Sequence, residues 1–253
     1  MIISPMHPSG ANHDLKHAAR SVSVIMPAFN EAFCIGACLE RVLRQPAVTE
    51  VIVVDDGSSD ATAAEVERRM ASEPRLRLQR HPRNLGKGAA LRTGFACATG
   101  DIVVVQDADL EYDPEDYEAL LRPLLQGRAD VVFGSRFLGG GAHRVLYFWH
   151  AVGNALITFF SNCFTGLNLS DVEVGPKLFR REVVAGMTIC EQRFGVEPEL
   201  AARVAALRVR VYEVPISYHG RTYAEGKKVG WRDGVRALWC IVKYGISTRW
   251  GGC

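Results

Sequence analysis

Two aspartates, Asp107 and Asp109, close a run of apolar strand-forming residues that begins at Ile102. A strand this apolar is typical of a sheet buried on both faces, and two carboxylates at its end repel each other unless a cation lies between them. Oxygen ligands at this spacing suit Mg²⁺ or Mn²⁺, which in turn suit a diphosphate. A three-residue motif is short, however. Taken alone it is more often a helix cap at Asp109 and a loop hydrogen bond at Asp107.

Three other predicted strand ends carry polar groups that favour the metal interpretation. The segments Pro27–Glu31, Asp55–Asp56 and Gly134–Arg136 each follow an apolar stretch. Strands that alternate with helices predict a mostly parallel sheet with helices on both faces, and ligands of such sheets bind outside the carboxyl ends of the strands. Carboxylates, a divalent cation and Arg136 at one edge of the sheet therefore predict a diphosphate site.

The hydrophobic periodicity predicts the elements that must position these groups. The predicted strands are Val22–Met26, Val51–Val54, Leu76–Gln79, Asp101–Gln106, Asp130–Phe133, Lys177–Phe179 and Arg208–Val214. Helices are predicted around Ile35–Val42, after Asp60, and at Ala89–Ala98, Pro114–Gln126, Val145–Gly166 and Glu197–Leu207, with an aromatic-rich helix at the C-terminal end. Asn30 and Asp60 are predicted to cap the first two helices.

A basic loop before the third helix contains Gly86 and Gly88. Glycines allow the backbone to come close to a ligand, although a flexible turn explains them as well. The spacing is not that of a P-loop.

Length and composition indicate one α/β domain. The chain has 253 residues, 48% of them hydrophobic and 23% charged, which is ordinary for a globular protein. Its net charge of +2 argues against a nucleic-acid partner. Residues 1–20 lack apolar periodicity and are predicted to form a flexible leader, followed by a single domain over residues 21–253.

The seven cysteines predict free thiols in a reducing cytoplasm, because they form no CxxC pair and no signal peptide precedes them. They are Cys34, Cys38, Cys97, Cys163, Cys190, Cys240 and Cys253. Core packing is the favoured role of Cys34 and Cys38, which lie one helical turn apart. No segment has the roughly 20 uninterrupted apolar residues of a membrane-spanning helix.

The sequence resembles the family 2 glycosyltransferases of GT-A fold, and among them the dolichyl-phosphate mannose synthase-like branch. The resemblance covers residues 21 to about 244. It rests on motifs that occur together and in this order: SVIMPAFNE, VIVVDDGSSD, RNLGKGAALRTGF, GDIVVVQDADLEYDP, ADVVFGSRF, EVPISYHGR and EGKK. It implies a Rossmann-like, mostly parallel sheet with a nucleotide-sugar-binding half at 21–140 and an acceptor-side half at 141–253 that ends in an amphipathic helix.

The resemblance also implies a donor site for a GDP- or UDP-linked sugar. Asp56 would hold the base or the ribose, and Asp107 and Asp109 would bring Mg²⁺ or Mn²⁺ and the diphosphate together, with Glu111 as a further ligand. The remaining residues implied to contact the donor are Pro27, Ala28, Asn30, Glu31, Gly86, Lys87 and Ala108.

On the acceptor side, the resemblance implies that arginines position a phosphate, so that no strong protein base is needed. Arg136, Arg144 and Arg221 match this role, with Lys227 and Lys228 closing from a later loop. The segment DVEVGPK at 171–177 departs from relatives, which read close to DMETCYK there. Glu173 or Asp171 can act as a base toward a hydroxyl acceptor, and an ion pair with Lys177 is an equally good explanation.

Three functions follow as alternatives. The first is a metal-dependent inverting transferase that moves a hexose to polyprenyl phosphate. The second has the same donor and a soluble acceptor, and the third is a nucleotide-binding protein without turnover. The complete set of charged motif residues argues against the third.

A membrane-bound acceptor raises the question of membrane contact, and two groups of aromatic residues are candidates for it. They are Tyr147, Phe148, Trp149, Phe159, Phe160 and Phe164, and then Trp231, Trp239, Tyr244 and Trp250. Core packing is favoured for the first group, because aromatic stripes on helices usually face inward. Peripheral attachment to the cytoplasmic face of the membrane and a homo-oligomeric contact are the alternatives.

Overall fold

The structure is a computed structural model that describes residues 21–139, 144–145, 147–193, 195–221 and 231–247, the side chains of residues 231–233 and 247 excepted. The predicted leader, residues 1–20, lies outside the described residues.

Among the described residues, seven strands form one sheet in the order β3-β2-β1-β4-β6-β5-β7. They are β1 (Val22–Ala28), β2 (Val48–Asp55), β3 (Leu76–Arg80), β4 (Ile102–Val105), β5 (Val131–Ser135), β6 (Lys177–Arg180) and β7 (Val211–Pro215). All neighbouring pairs are parallel except that β6 runs antiparallel to both β4 and β5. The mostly parallel sheet was predicted, whereas the sequence pattern gave no sign of the reversed strand.

Eight α-helices cover the sheet in the described part of the chain. They are α1 (Ile35–Leu43), α2 (Thr62–Met70), α3 (Lys87–Cys97), α4 (Tyr117–Leu125), α5 (Phe148–Thr165), α6 (Arg181–Ala185), α7 (Val196–Leu207) and α8 (Trp231–Ser247). A 3₁₀ turn at Pro114–Asp116 precedes α4. Helix α6 was not predicted.

The core lies on both faces of the sheet because successive strand residues point to opposite sides. Met26 of β1 packs in a cluster with Leu39 of α1 and Leu120 of α4. Its neighbour Ile25 belongs to the opposite cluster, which contains residues of α3 and α7. The strands are therefore buried on both sides, as their continuous apolar runs predict.

The predicted cap at Asn30 is wrong. Helix α1 begins after Cys34 and has no side-chain cap. Asn30 instead adopts a left-handed conformation, with φ of 53°, and its Oδ1 accepts the Ser59 amide at 2.9 Å. Asp60 does satisfy the first amide of α2, because its Oδ1 accepts Thr62 N at 2.9 Å.

The cysteines follow the free-thiol prediction only in part. Cys34, Cys38 and Cys240 are buried and free, and Cys97 is free and partly exposed. Cys163 is free but exposed, and Cys190 is disulfide-bonded, which corrects the prediction at that position.

Helix α5 corrects the expectation that its aromatic residues pack in the core. Phe148, Trp149 and Phe159 are 70%, 77% and 61% exposed, whereas Thr158 and Ser161 are buried. The inner face of α5 is polar because it holds backbone groups of the following loop: Thr158 Oγ1 accepts Val172 N, and Asn162 makes two hydrogen bonds to the backbone of Leu169. No helix in the described ranges is long and apolar enough to cross a bilayer.

Candidate active site

The ends of β1 and β4 bring acidic residues together, as the sequence predicted. Arg221 lies among them: its Nη2 is 3.1 Å from Asp109 Oδ2, its Nη1 is 3.3 Å from Glu31 Oε2, and its amide donates to Glu111 Oε1 at 2.8 Å. The pKa of Asp109 is raised to about 7, first by burial and then by the nearby charges of Asp107 and Glu111, against the lowering effect of Arg221.

Lys87, the first residue of α3, contacts the other member of the aspartate pair. Its Nζ lies 2.7 Å from Asp107 Oδ1 and 2.7 Å from Glu197 Oε1. Burial by itself lowers the pKa of Lys87, but these two carboxylates outweigh it and hold the pKa well above its usual value. Lys87 is therefore a fixed positive charge beside the predicted diphosphate position.

The helix-cap explanation of the aspartate pair does not hold. Asp109 Oδ1 accepts the amide of Glu111 at 3.1 Å, within the same loop. The 3₁₀ turn is capped instead by Asp113, which accepts Glu115 N at 3.1 Å. Asp107 and Asp109 remain at the mouth of β4 with cationic partners.

The aspartate pair fits a divalent metal that shares its ligands with a substrate. No group of three or more His, Cys, Asp or Glu side chains in the described residues is arranged to hold a metal ion. The carboxylate of Glu111 accepts hydrogen bonds from the Tyr218 hydroxyl and the Arg221 amide. Asp107 and Asp109 also have cationic partners, Lys87 and Arg221, but they lie together at the strand mouth, and Mg²⁺ is commonly bound by one or two carboxylates together with substrate phosphates.

On the predicted nucleoside side, the neighbouring carboxylates of Asp55 and Asp56 have different partners. Both oxygens of Asp56 bind the loop before α3: they accept Leu85 N at 2.9 Å and Gly86 N at 2.7 Å, and His81 Nδ1 lies 2.7 Å away. Asp55 Oδ2 is buried without a hydrogen-bond partner, with Arg80 Nε 3.7 Å away. Asp55 lines a cleft of about 380 Å³ together with Gly57, Ser58, Arg80, His81 and Pro82.

Pro27 and Ala28 form the end of β1, next to the aspartates of β2. Ala28 pairs in register with Asp55, and its carbonyl accepts the Asp56 amide at 2.8 Å. Ala28 and Ala108 are both buried. These residues lie at the predicted edge, and their contact with a nucleoside stays a prediction.

On the acceptor side, Asp171 fixes the orientation of Arg136. Arg136 Nε lies 2.6 Å from Asp171 Oδ2 and Nη2 lies 2.7 Å from Oδ1, a bidentate pair, and Nη2 also donates to Asn154 Oδ1 of α5 at 3.2 Å. The guanidinium carbon is 5.1 Å from the centre of the Tyr218 ring. Both oxygens of Asp171 are engaged by Arg136, so this carboxylate holds the guanidinium in one orientation; a role as a base stays a prediction.

The pKa of Glu173 lies above the ordinary value of a carboxyl group. Burial raises its pKa to about 8, with the charge of Glu197 as the next cause, and its Oε1 is buried without a hydrogen-bond partner. The expected ion pair with Lys177 is not formed, because Lys177 Nζ donates to the Val174 carbonyl. Burial lowers the pKa of Lys177.

Arg144 also lies on this side, where its Nη1 donates to the carbonyl of Gly220, next to Arg221, at 3.0 Å. Lys227 and Lys228, which were predicted to close the site, lie outside the described residues.

Comparison with known proteins identifies the family. Residues 23–187 match the family model described as glycosyl transferase family 2. The chain belongs to this family. It is therefore a glycosyltransferase, and the expected resemblance and enzyme class are confirmed.

Two relatives illustrate the range of the family. The chain is 28% identical to the undecaprenyl-phosphate mannosyltransferase of Micrococcus luteus, over 91% of this chain and 96% of the relative. It is 32% identical to the low-salt glycan biosynthesis hexosyltransferase Agl6 of Haloferax volcanii, over 85% of this chain but only 52% of that protein. The chain thus spans almost all of one relative and about half of the other.

Solved structures confirm the fold. Glucosyl-3-phosphoglycerate synthase from Mycobacterium tuberculosis, in complex with Mn²⁺, uridine diphosphate and phosphoglyceric acid, superposes with a TM-score of 0.71 at 22% identity, over 94% of this chain and 84% of that one. The predicted GT-A architecture is correct.

One residue of this family 2 transferase site was missed from the sequence. Glu197 is 4% exposed, contacts Lys87, and has an Oε2 without a hydrogen-bond partner. A signal was present: at 100° per residue, Glu197 falls beside Val204 on the apolar face of α7. A carboxylate on a buried helix face needs a partner, so this position predicts a residue that is paired with a cation or belongs to a binding site.

The structure explains why residues 86 and 88 are glycines, which the sequence did not reveal. A Cβ atom on Gly86 would lie 2.2 Å from the Gln192 carbonyl oxygen, and one on Gly88 would lie 2.1 Å from that of Glu191. Gly88 N donates to Gln192 O at 2.8 Å. The glycines thus let the 191–192 backbone pack against the start of α3, which carries Lys87.

We therefore expect Gly88→Ala to destabilise the enzyme. Overpacking against a backbone carbonyl costs about 1–3 kcal/mol, which lowers Tm by roughly 2–10 °C in a chain of this size. Gly153→Ala is the matched control, because nothing lies within 4 Å of its Cβ position and alanine favours a helix. Calorimetry of both variants tests this, and an unchanged Tm for Gly88→Ala would refute the packing argument.

Glu173 gives a second prediction, on pH. Its folded pKa of about 8 lies above the ordinary value of 4.5, so its contribution to stability is complete below pH 4.5 and is lost as pH rises through 8. The loss is on the order of 4 kcal/mol. Glu173→Gln keeps the shape and cannot ionise, so its unfolding free energy should fall less between pH 5 and 8 than that of the wild type. Urea titrations at several pH values measure this, and parallel profiles for the two proteins would show that Glu173 does not titrate there.

Proposed function

We propose that the chain is an inverting glycosyltransferase that moves a hexose from a UDP- or GDP-linked donor to the phosphate of a polyprenyl phosphate, with Mg²⁺ or Mn²⁺ at Asp107 and Asp109. The observation that carries this is the arrangement of charge at the sheet edge: an aspartate pair on one side and a buried, rigidly held Arg136 on the other. The first suits a metal–diphosphate and the second suits an anionic acceptor.

The named relatives support the acceptor class. The Micrococcus protein is named for undecaprenyl phosphate, and a dodecaprenyl-phosphate galacturonate synthase of Rhizobium johnstonii is 26% identical over 81% of this chain and 61% of its own length. We propose polyprenyl phosphate as the acceptor of this chain as well, and we assign no particular sugar to the donor.

The donor lies with its base in the cleft beside Asp55 and its diphosphate next to the aspartate pair and to Lys87, which contacts Asp107. Asp55 Oδ2, which has no hydrogen-bond partner, accepts an N–H of the base, and Lys87 contributes a fixed positive charge to the leaving diphosphate. When bound, the divalent ion neutralises charge that develops on that diphosphate. We assign the hydroxyl groups of the hexose to Glu197 Oε2 and Glu173 Oε1, two buried oxygens that have no hydrogen-bond partner.

The acceptor reacts without a protein base. An oxygen of the acceptor phosphate attacks the anomeric carbon, the bond from that carbon to the diphosphate oxygen breaks, and the nucleoside diphosphate leaves. The attacking phosphate oxygen is already ionised, so no proton has to be removed. Arg136 and Arg144 orient the acceptor phosphate.

A thermal-shift panel tests the donor part of the proposal. UDP and GDP are each added with and without Mn²⁺, because a ligand that binds only the folded state raises its apparent stability. One of the two should raise Tm, and more so with the metal. ADP serves as the control. If neither nucleotide raises Tm under any condition, the donor assignment falls.

The acceptor part is tested by the release of nucleoside diphosphate from the donor identified in that panel. Polyprenyl phosphate in detergent should accelerate release, and soluble sugar phosphates should not. The reverse result would establish the soluble-acceptor alternative. A homo-oligomer stays a prediction.

A further inference from the structure

Gly175, in the segment DVEVGPK that leads into β6, lies directly against the aspartate pair. A Cβ atom added to Gly175 would lie 2.4 Å from Asp107 Oδ2 and 2.5 Å from Cε2 of Tyr112. The backbone dihedral φ of Gly175 is outside the left-handed region. The close approach of these two side chains, rather than backbone strain, therefore requires glycine at this position.

The backbone on both sides of Gly175 is anchored. The carbonyl of Pro176 accepts the amide of Gly134 in β5 at 3.0 Å. The carbonyl of Val174 accepts a hydrogen bond from Lys177 Nζ. Because its neighbours are held on both sides, the chain at Gly175 cannot retreat freely from a side chain placed there.

Tyr112 forms one wall of the space beside Gly175. Its hydroxyl accepts the Gly175 amide at 3.1 Å, and its ring centre is 5.5 Å from that of Tyr218. The ring is buried and packs in the same core cluster as Val172 and Val174. Since interiors of proteins are close-packed, pushing this ring aside costs stability.

The carboxylate of Asp107 forms the other wall, and it is the end of a side chain that can rotate. Ordinary contact with a Cβ atom begins at 3.4 Å, so Oδ2 has to move by about 1 Å to admit a methyl group. Ligand distances at a metal are fixed much more closely than this, and Mg²⁺ demands near-ideal octahedral geometry. A side chain at position 175 thus moves Asp107 away from the place that it shares with Asp109.

We propose that Gly175 is a positioning residue for the metal site: the side chain that it lacks leaves the space in which the Asp107 carboxylate lies beside Asp109. Gly175 acts through Asp107. The inference rests on the proposed function for the metal, whereas the contact between Gly175 and Asp107 does not depend on it.

Binding of Mn²⁺, followed by electron paramagnetic resonance as the signal of the free ion is lost, tests the role of Gly175. We expect Gly175→Ala to bind Mn²⁺ at least about tenfold more weakly than wild type, since changes in the residues that orient metal ligands have effects of this size. An affinity equal to that of wild type would overturn the proposal.

The matched control is Gly245→Ala in α8. A Cβ atom there would lie 2.7 Å from the Cβ of Phe164 on α5, so this variant is also overpacked and should also have a lower Tm. Its contact does not involve the aspartate pair, and we expect it to bind Mn²⁺ like wild type. An equal loss of Mn²⁺ affinity in both variants would show that general destabilisation is the cause and would overturn the positioning role.

A second variant keeps the test decisive if Gly175→Ala does not fold. Tyr112→Leu combined with Gly175→Ala opens space on the side of the ring and leaves the contact with Asp107. This double variant should still bind Mn²⁺ at least about tenfold more weakly than Tyr112→Leu alone. Equal affinities of these two proteins would contradict the proposal.

Crystal structures without added metal separate this inference from the proposed function. In Gly175→Ala, the carboxylate of Asp107 should be displaced by about 1 Å from its wild-type position. An Asp107 that has not moved overturns the positioning role, whatever the metal does. If Asp107 is displaced but the wild type binds no Mn²⁺, the positioning role stands and the metal is removed from the proposed function.

Discussion

Replacing Asp109 by asparagine is expected to lower the rate of sugar transfer by about 10³-fold, because a neutral amide cannot share a divalent ion with Asp107. The fold should persist, since asparagine has the same shape and Asp109 lies at a strand mouth among like charges from Asp107 and Glu111. Initial rates over a Mn²⁺ titration, together with Tm, measure both effects.

The control for this variant is Asp113→Asn, in the same loop. Asp113 caps the 3₁₀ turn and has no place in the proposed site, so its variant should transfer sugar at close to the wild-type rate. An Asp109→Asn enzyme that reaches wild-type rates at saturating metal would remove the metal assignment.

Arg136→Gln is expected to raise the KM for polyprenyl phosphate by about 100-fold while the donor affinity stays unchanged. Arg136 is a guanidinium cation that Asp171 holds in place on the acceptor side, and glutamine carries no charge. The substitution also leaves buried Asp171 without its cation, which costs about 3–5 kcal/mol of stability.

A second variant separates the two effects of Arg136. In Arg136→Gln combined with Asp171→Asn, the buried charge is gone and two amides can hydrogen-bond, so most of the stability should return. Acceptor binding should not return. If the double variant recovered a wild-type KM for the acceptor, Arg136 would be a structural residue only.

The sequence predicted the aspartate pair because its signal is local. A continuous apolar run defines a buried strand, and the first polar residues after it must lie at the carboxyl edge. The same reasoning placed Glu31 and Arg136 at that edge. Each step used residues that are neighbours in the chain.

Adjacent acidic residues were harder to separate. Asp55 and Asp56 both follow the apolar run of β2, but one lines the cleft and the other binds the loop before α3. Which carboxylate faces which side depends on where the strand ends and on the path of residues 81–86. Neither is encoded within the motif itself.

The hydrophobic pattern of the sequence did not predict contacts between segments that are distant in the chain. Glu197 meets Lys87 across 110 positions of sequence, and Gly88 is required by a carbonyl of residue 191. The antiparallel strand β6 inserts between β4 and β5, which follows from the path of residues 166–177 rather than from its four residues. The aromatic side chains of α5 point outward because its inner face carries polar residues that hydrogen-bond the following loop. Hydrophobic periodicity alone predicts the opposite orientation.

The most direct test of the whole account is the mass-spectrometric detection of glycosylated polyprenyl phosphate. Purified enzyme is incubated with Mn²⁺, polyprenyl phosphate in detergent, and panels of UDP- and GDP-hexoses. We predict a hexosyl phosphate-linked lipid and an equimolar amount of nucleoside diphosphate from at least one donor, and neither from Asp109→Asn. Nucleoside diphosphate released at the same rate with and without the lipid, and no glycosylated lipid from any donor, would contradict it.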